Sequence, residues 1–143
     1  MSDRRFRFGV QAHQATDGPG WTGFAQKAEE LGYSTLLVMD HFGDQLGPVP
    51  AMTAAAAATK DLRVGSLVFD NDYRHPVTLA KDIATVDLLS GGRFVLGTAA
   101  GYLRSEYAAL GVDFEERNAL FDEAGIGTAL RRQAERVSDI YRH

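Results

Sequence analysis

Short apolar runs alternate with longer helical stretches along the chain. Four apolar runs are predicted to be strands, over residues 7–11, 35–39, 63–69 and 93–97. Each run is followed by a segment with helical spacing or helix-forming composition. Because parallel strands need a return path about as long as a helix, the alternation predicts a parallel sheet wound by right-handed crossovers. The pattern therefore predicts an α/β fold of four βα units.

Turn and capping residues mark where the predicted helices begin and end. The first helix follows the turn at residues 17–20, and Gly32 is expected to stop it. The second helix is expected to begin at Pro48 and the third at Pro76, since proline is favoured in a first helical turn. A last helix is expected over residues 127–141, which would complete the fourth βα unit.

Length and composition are typical of one globular domain. The 143 residues are 45% hydrophobic and 24% charged, and no linker interrupts them, so residues 1–143 are expected to form a single domain. The chain has no long apolar stretch and no secretory leader pattern, so we expect a cytoplasmic protein without a membrane partner. The net charge of -4 argues against a nucleic-acid partner. No histidine or acidic spacing typical of a metal site occurs, so no metal ligand is expected.

Polar or small residues follow each predicted strand at its C-terminal end. They occupy residues 12–14, 40–42, 70–72 and 98–102. Parallel α/β folds place their chemistry at this edge of the sheet. Asp40 and His41 form a pair that can orient a ring and exchange a proton near neutral pH. An ordinary surface turn would explain the same dipeptide, so the pair is not specific by itself.

Three segments carry a more specific pattern. They are residues 34–42, with the sequence STLLVMDHF, residues 65–76, which begin GSLV and end YRHP, and residues 88–97, which begin LLSGGRF. In this order they resemble the luciferase-like superfamily of (β/α)8-barrel flavin and deazaflavin oxidoreductases. The chain is most similar to the actinobacterial branch that uses coenzyme F420, a 5-deazaflavin hydride carrier. Since a complete barrel has about 250 residues, the resemblance implies an N-terminal half of a TIM barrel.

The resemblance also implies roles for residues at the strand ends. It implies that His41 is the acid/base or substrate-polarising group and that Asp40 fixes the cofactor ring. It implies a non-prolyl cis peptide between Leu67 and Val68, which would form a bulge behind the ring. Glu106 is expected near the rim of the pocket. Further cofactor contacts are implied on the third strand and in the turn after the fourth, at Ser66, Thr98, Ala99, Gly101, Tyr102 and Ser105.

Three functions remain open at this stage. The first is a deazaflavin-dependent oxidoreductase that moves a hydride between coenzyme F420 and a small organic substrate, with this chain holding the ring. The second is an FMN-dependent monooxygenase, which would activate dioxygen instead. The third is a catalytically inactive, truncated or engineered half-barrel that serves as a folding or assembly unit.

The edges of the predicted sheet suggest self-association. Four parallel strands leave the first and the fourth with unpaired backbone groups, and such edges can pair with another chain. Two copies could close one ring and bury apolar strand residues that are expected to face the open side. Those residues are Phe8, Val10, Phe94 and Leu96. We therefore expect a homodimer or a higher homo-oligomer.

Overall fold

A computed structural model describes residues 6–118 of the chain. Its strands are β1 (Gly9–Gln11), β2 (Thr35–Val38), β3 (Arg63–Ser66), β4 (Phe69–Asp70), β5 (Phe94–Val95) and β6 (Thr98–Ala99). Its α-helices are α1 (Gly18–Glu30), α2 (Pro48–Ala58), α3 (Pro76–Leu89) and α4 (Arg104–Leu110). Two short 3-10 helices cover Asn71–Tyr73 and Phe114–Glu116.

The main sheet is parallel and has the strand order β1-β2-β3-β5. Strands β4 and β6 pair in parallel as a second, two-stranded sheet. Consecutive neighbours in the main sheet are joined by helices, as parallel pairing requires. The predicted α/β fold of four βα units, similar to part of a TIM barrel, is confirmed.

The third predicted strand breaks into two, and a further short strand follows the fourth. Strand β3 ends at Ser66, the peptide bond between Leu67 and Val68 is cis as expected, and β4 begins at Phe69. The Phe69 N–H donates to the Gly97 carbonyl at 2.8 Å, so the interruption between β5 and β6 matches the one between β3 and β4. The continuous strand predicted over residues 63–69 is wrong, because it is interrupted at Leu67 and Val68. Strand β6 lies in the segment predicted as a turn after the fourth strand.

Helix starts and stops follow the local signals closely. The Asp17 carboxylate accepts the Gly20 N–H at 2.6 Å and caps α1. Gly32 follows this helix with φ of +83°, a conformation that L side chains rarely adopt. Helices α2 and α3 begin at the predicted prolines. Helix α4 was not predicted, and the helix expected over residues 127–141 lies outside the described residues.

The core lies between the sheet and the helices that cover one of its faces. Leu36, Val38 and Val64 point from the strands into this layer and are fully buried. Trp21 of α1 joins them and donates from its indole nitrogen to the Ala51 carbonyl at 2.8 Å.

The longest described helix, α3, has 14 residues. No helix within residues 6–118 is long and apolar enough to span a bilayer.

The opposite face of the sheet differs from the expectation. Three residues expected to face the open side pack against the core beneath the helices instead: Val10, Phe94 and Leu96. Side chains alternate between the faces of a strand, so Leu37 and Val95 lie on the other face, on either side of Gly65. Phe8 is 68% exposed. Within residues 6–118, β1 and β5 each pair with one neighbour, and association through these edges stays a prediction.

Candidate functional site

The ends of β2, β3 and β6 meet around a cavity of about 130 Å³. Its wall includes six of the residues implicated by the sequence: Asp40, His41, Leu67, Val68, Gly101 and Tyr102. A larger cavity, of about 530 Å³, adjoins it at His41 and Tyr102 and is also lined by Phe42 and Glu106. The fold therefore brings residues that are up to 62 positions apart in the sequence to one edge of the sheet.

His41 lies between the two cavities and is held from both sides. Its Nδ1 is 3.0 Å from Glu106 Oε2, and its Nε2 is 3.3 Å from the Tyr102 hydroxyl. Because Nδ1 faces a carboxylate, we assign the imidazole proton to Nδ1. Nε2 is then an acceptor that can take a proton at the cavity.

Glu106 is the centre of this hydrogen-bond network. Its Oε1 accepts the Phe42 N–H at 2.8 Å, while Oε2 accepts the Tyr73 hydroxyl and faces His41. Burial opposes ionisation of Glu106, but hydrogen bonds from Tyr73, Phe42 and His41 outweigh burial and lower the pKa of this carboxyl. Burial and the Glu106 carboxylate raise the pKa of Tyr73, so its hydroxyl stays a donor. Glu106 is thus a carboxylate at neutral pH and holds the His41 ring in place.

Asp40 forms a buried ion pair with Arg74. Their two bonds are 2.5 Å, from Nη1 to Oδ2, and 2.7 Å, from Nη2 to Oδ1. Oδ2 also accepts the Asp70 N–H at 3.0 Å, and the guanidinium lies 5.1 Å from the centre of the Phe69 ring. These contacts join the end of β2 to β4, so both Asp40 oxygens have partners within the chain. The role of Asp40 toward a cofactor stays a prediction.

Gly101 packs directly on Asp70. A Cβ atom at position 101 would overlap the Asp70 carboxylate and lie 2.7 Å from Tyr107 Cε2, so only glycine fits there. The Gly101 N–H donates to the Tyr107 hydroxyl at 3.0 Å, and that hydroxyl donates to Asp72 Oδ2 at 2.9 Å. The turn after β6 is therefore held against β4 by side chains of α4 and of the first 3-10 helix.

The other predicted contact residues lie outside the smaller cavity. The Ser66 hydroxyl donates to the Gly97 carbonyl at 2.7 Å, and Ser66 Oγ accepts the Gly97 N–H at 3.1 Å. Thr98 and Ala99 form β6 and pair with β4. Ser105 lines the larger cavity. Roles for these four residues toward a ligand stay predictions.

Several residues of the network were not assigned from the sequence. Arg74 and Tyr73 lie inside the family segment over residues 65–76, but neither was given a partner. Asp40 and Arg74 each follow a predicted strand, and strands adjacent in sequence usually lie together in such a sheet. The ion pair could have been predicted from this placement of the two residues after adjacent strands. Nothing local indicates the contact of Tyr107 with Asp72.

Comparisons with known proteins agree with this architecture. The luciferase-like monooxygenase family pattern matches residues 5–132. The F420-dependent glucose-6-phosphate dehydrogenase of Amycolatopsis mediterranei is 34% identical over 112 residues, which cover 71% of this chain and 34% of that protein. The alkanal monooxygenase alpha chain of Aliivibrio fischeri is 31% identical over 98 residues, which cover 66% of this chain and 28% of that protein.

A solved structure of a monooxygenase has the same fold over most of this chain. Monooxygenase RslO1 from Streptomyces bottropensis superposes with a TM-score of 0.78 at 27% identity, covering 89% of this chain and 42% of RslO1. The chain spans less than half the length of each of these relatives. Its parallel sheet and the polar cluster at the carboxyl edge are those of a barrel-type α/β protein. The chain belongs to the luciferase-like monooxygenase family.

Proposed function

We propose that this chain supplies the ring-binding part of an F420-dependent oxidoreductase acting on a small organic substrate. The observation that carries the proposal is the cavity where His41, the cis Leu67–Val68 peptide and Gly101 face one another. The first relative described above, an F420-dependent dehydrogenase, supports the choice of cofactor. When bound, the deazaflavin would supply the carbon that accepts or gives a hydride.

The residues around the cavity fit a flat ring with an apolar face and a polar rim. Leu67 is 45% exposed and Tyr102 is 70% exposed, and both offer apolar surface. His41 Nε2 and the Tyr102 hydroxyl offer polar atoms at the same place. Because the two cavities adjoin at His41, a ring in one and a substrate in the other would both reach the imidazole.

His41 is the proposed proton-transfer group. With the Nδ1 proton directed at Glu106, its Nε2 can take a proton from a substrate hydroxyl or return one. The ionised Glu106 stabilises the imidazolium that results, as a carboxylate beside a histidine does in other active sites. Glu106 acts through His41 and is therefore a positioning residue.

The second candidate function is an FMN-dependent monooxygenase. The identity of 31% to an alkanal monooxygenase alpha chain supports it. Flavin and deazaflavin rings have almost the same shape, so the residues around the cavity do not distinguish between them. The third possibility, an inactive folding or assembly unit, is one outcome of the test below.

The test is a titration of the purified chain with coenzyme F420 and with FMN, followed by cofactor fluorescence. We expect saturable binding of F420, and we expect Gly101→Ala to abolish it because the new methyl group displaces the Asp70 carboxyl at the cavity wall. Gly23→Ala, at a helical position with open space around it, is the matched control and should bind normally. Tighter binding of FMN would favour the monooxygenase. Binding of neither cofactor by the folded chain would overturn both enzymatic functions.

We also propose that copies of the chain associate through β1 and β5. The exposed Phe8 beside β1 and the unpaired edges within residues 6–118 support this. Sedimentation at micromolar concentration should give a dimer or a larger species. A compact monomer would contradict the proposal.

A further inference from the structure

Asp70 is a buried acid with an oxygen that has no partner in the described chain. The residue is 4% exposed. Its Oδ1 accepts the Asp72 N–H at 3.0 Å and lies 3.3 Å from the Tyr107 hydroxyl. Its Oδ2 is buried and makes no hydrogen bond within residues 6–118. Leaving such an oxygen unsatisfied destabilises the protein, so the position favours a ligand that supplies the missing partner.

The same carboxyl belongs to the wall of the 130 Å³ cavity. Oδ2 lies against Gly101, on the side where a side chain is absent. The Asp70 N–H is bound to Asp40 Oδ2 at 3.0 Å, which fixes the residue at the end of β4. The carboxyl is therefore held rigidly at the cavity, between the bulge at Val68 and the turn at Gly101.

The surroundings of Asp70 favour its neutral form. Burial raises the pKa of this carboxyl, and the nearby charge of Asp72 raises it further. Hydrogen bonds from the Asp72 N–H and the Tyr107 hydroxyl act in the opposite direction without outweighing burial. Burial thus keeps a proton on the Asp70 carboxyl to higher pH than on an exposed aspartate.

The position of that proton follows from the hydrogen bonds. Oδ1 accepts hydrogen bonds, so the proton belongs on Oδ2, which has none. The remaining charged neighbour, Asp40, is compensated by Arg74. Below its raised pKa, Asp70 therefore has an O–H donor beside the cavity, where an ionised aspartate could only accept.

We propose that Asp70 is a ligand-contact residue whose Oδ2–H donates a hydrogen bond to an acceptor atom of the ring that occupies the 130 Å³ cavity. This inference rests on the proposed function, because it concerns the same cavity. The rings of F420 and FMN carry carbonyl oxygens at their edges, and these accept such a bond. Ring binding should therefore require protonated Asp70 and weaken as this carboxyl ionises.

The experiment measures the affinity for F420 and for FMN against pH in three proteins. In the wild type, affinity should fall by about tenfold per pH unit above the pKa of Asp70. Asp70→Asn keeps an N–H donor at the same place but cannot ionise, so this dependence should disappear. Asp72→Asn, the matched control, removes a neighbouring charge but keeps the Asp70 carboxyl.

 The charge of Asp72 raises the pKa of Asp70, so removing that charge lowers this pKa. The pH dependence of Asp72→Asn should therefore keep the wild-type slope and begin at lower pH than in the wild type.

A second measurement does not depend on how well the variants fold. Infrared difference spectra of the wild type, with and without F420, should show the carbonyl band of a protonated carboxyl that shifts when the ring binds. A pH dependence that survives in Asp70→Asn, or the absence of a protonated carboxyl band in the bound wild type, would overturn the inference. If the wild type binds a cofactor and either result is found, only the role of Asp70 fails. If the folded wild type binds neither cofactor, the proposed function fails together with it.

Discussion

Charged side chains lie at both ends of the sheet, but their hydrogen-bond partners differ between the two ends. At the amino end, the Arg93 guanidinium donates to the backbone carbonyls of Ser90, Leu62 and Ala56 and to the Thr59 hydroxyl. At the carboxyl end, the partners of Glu106 include His41 and Tyr73, which can themselves titrate. The amino end thus uses charge to join elements, while the carboxyl end keeps groups that can exchange protons.

Glu29 shows the same use of charge at the amino end. Its carboxylate accepts the consecutive backbone N–H groups of Lys60, Asp61 and Leu62 and ties the end of α1 to the start of β3. Asp70, at the other end, keeps a buried oxygen without a partner in the described chain. The comparison indicates that stability is concentrated at the amino end and chemistry at the carboxyl end, as in other parallel α/β folds.

The largest expected effect tests an exception to this division, the ion pair of Asp40 with Arg74. Arg74→Met leaves the buried Asp40 carboxylate without its counter-charge and should lower the free energy of unfolding by about 3–5 kcal/mol. Denaturant unfolding measures this free energy. The double variant Arg74→Met with Asp40→Leu is the control and should recover most of the loss. A loss below about 1 kcal/mol in Arg74→Met would show that the pair contributes little to stability.

The next effect concerns catalysis at the carboxyl end. In an active enzyme that contains this sequence, His41→Ala should lower turnover by about 100-fold or more, because a positioned proton-transfer group is lost. Cofactor affinity should change much less. His13→Ala, at a histidine outside both cavities, should keep normal turnover. Equal activity of His41→Ala and wild type would remove His41 from the mechanism.

A smaller effect is expected at the amino end. Arg93→Met removes the guanidinium that joins α2, β3 and the end of α3, and should cost about 2 kcal/mol of unfolding free energy without changing cofactor affinity. Arg63→Met, at an exposed position of β3, is the control and should stay within about 0.5 kcal/mol of the wild type. Weakened cofactor binding in a folded Arg93→Met protein would contradict the division between the two ends.

The smallest expected effect concerns how the free energy of unfolding depends on pH, which should be opposite for Glu106 and Asp70. The lowered pKa of Glu106 means that its stabilising contribution is present above the ordinary glutamate pKa and is lost as pH falls through the lowered value. The raised pKa of Asp70 means that its contribution is present at low pH and is lost as pH rises through the raised value. Unfolding free energies measured against pH should show Glu106→Gln lacking the first dependence and Asp70→Asn lacking the second. An unchanged acid limb in Glu106→Gln would contradict the assignment.

Local signals predicted much of the fold and part of the site. The alternation of strands and helices, the helix starts at Pro48 and Pro76 and the stop at Gly32 depend on neighbouring residues, and all three are confirmed. The cis peptide between Leu67 and Val68 was implied by the family resemblance and is also present. The end of β3 at Ser66 and the strand β6 were not predicted, because the apolar run over residues 63–69 continues past Ser66 and residues 98–102 have the small side chains of a turn.

By itself, the sequence determined the alternation of strands and helices, several helix starts and stops and the candidate polar residues at the strand ends, because each of these depends on short-range patterns. Only the tertiary structure decided which polar groups meet. Arg74 lies 34 residues from Asp40, and Glu106 lies 65 residues from His41. Such partners are selected by the parallel register of the sheet and by the packing of α4 against it, and no local pattern in a single chain encodes either.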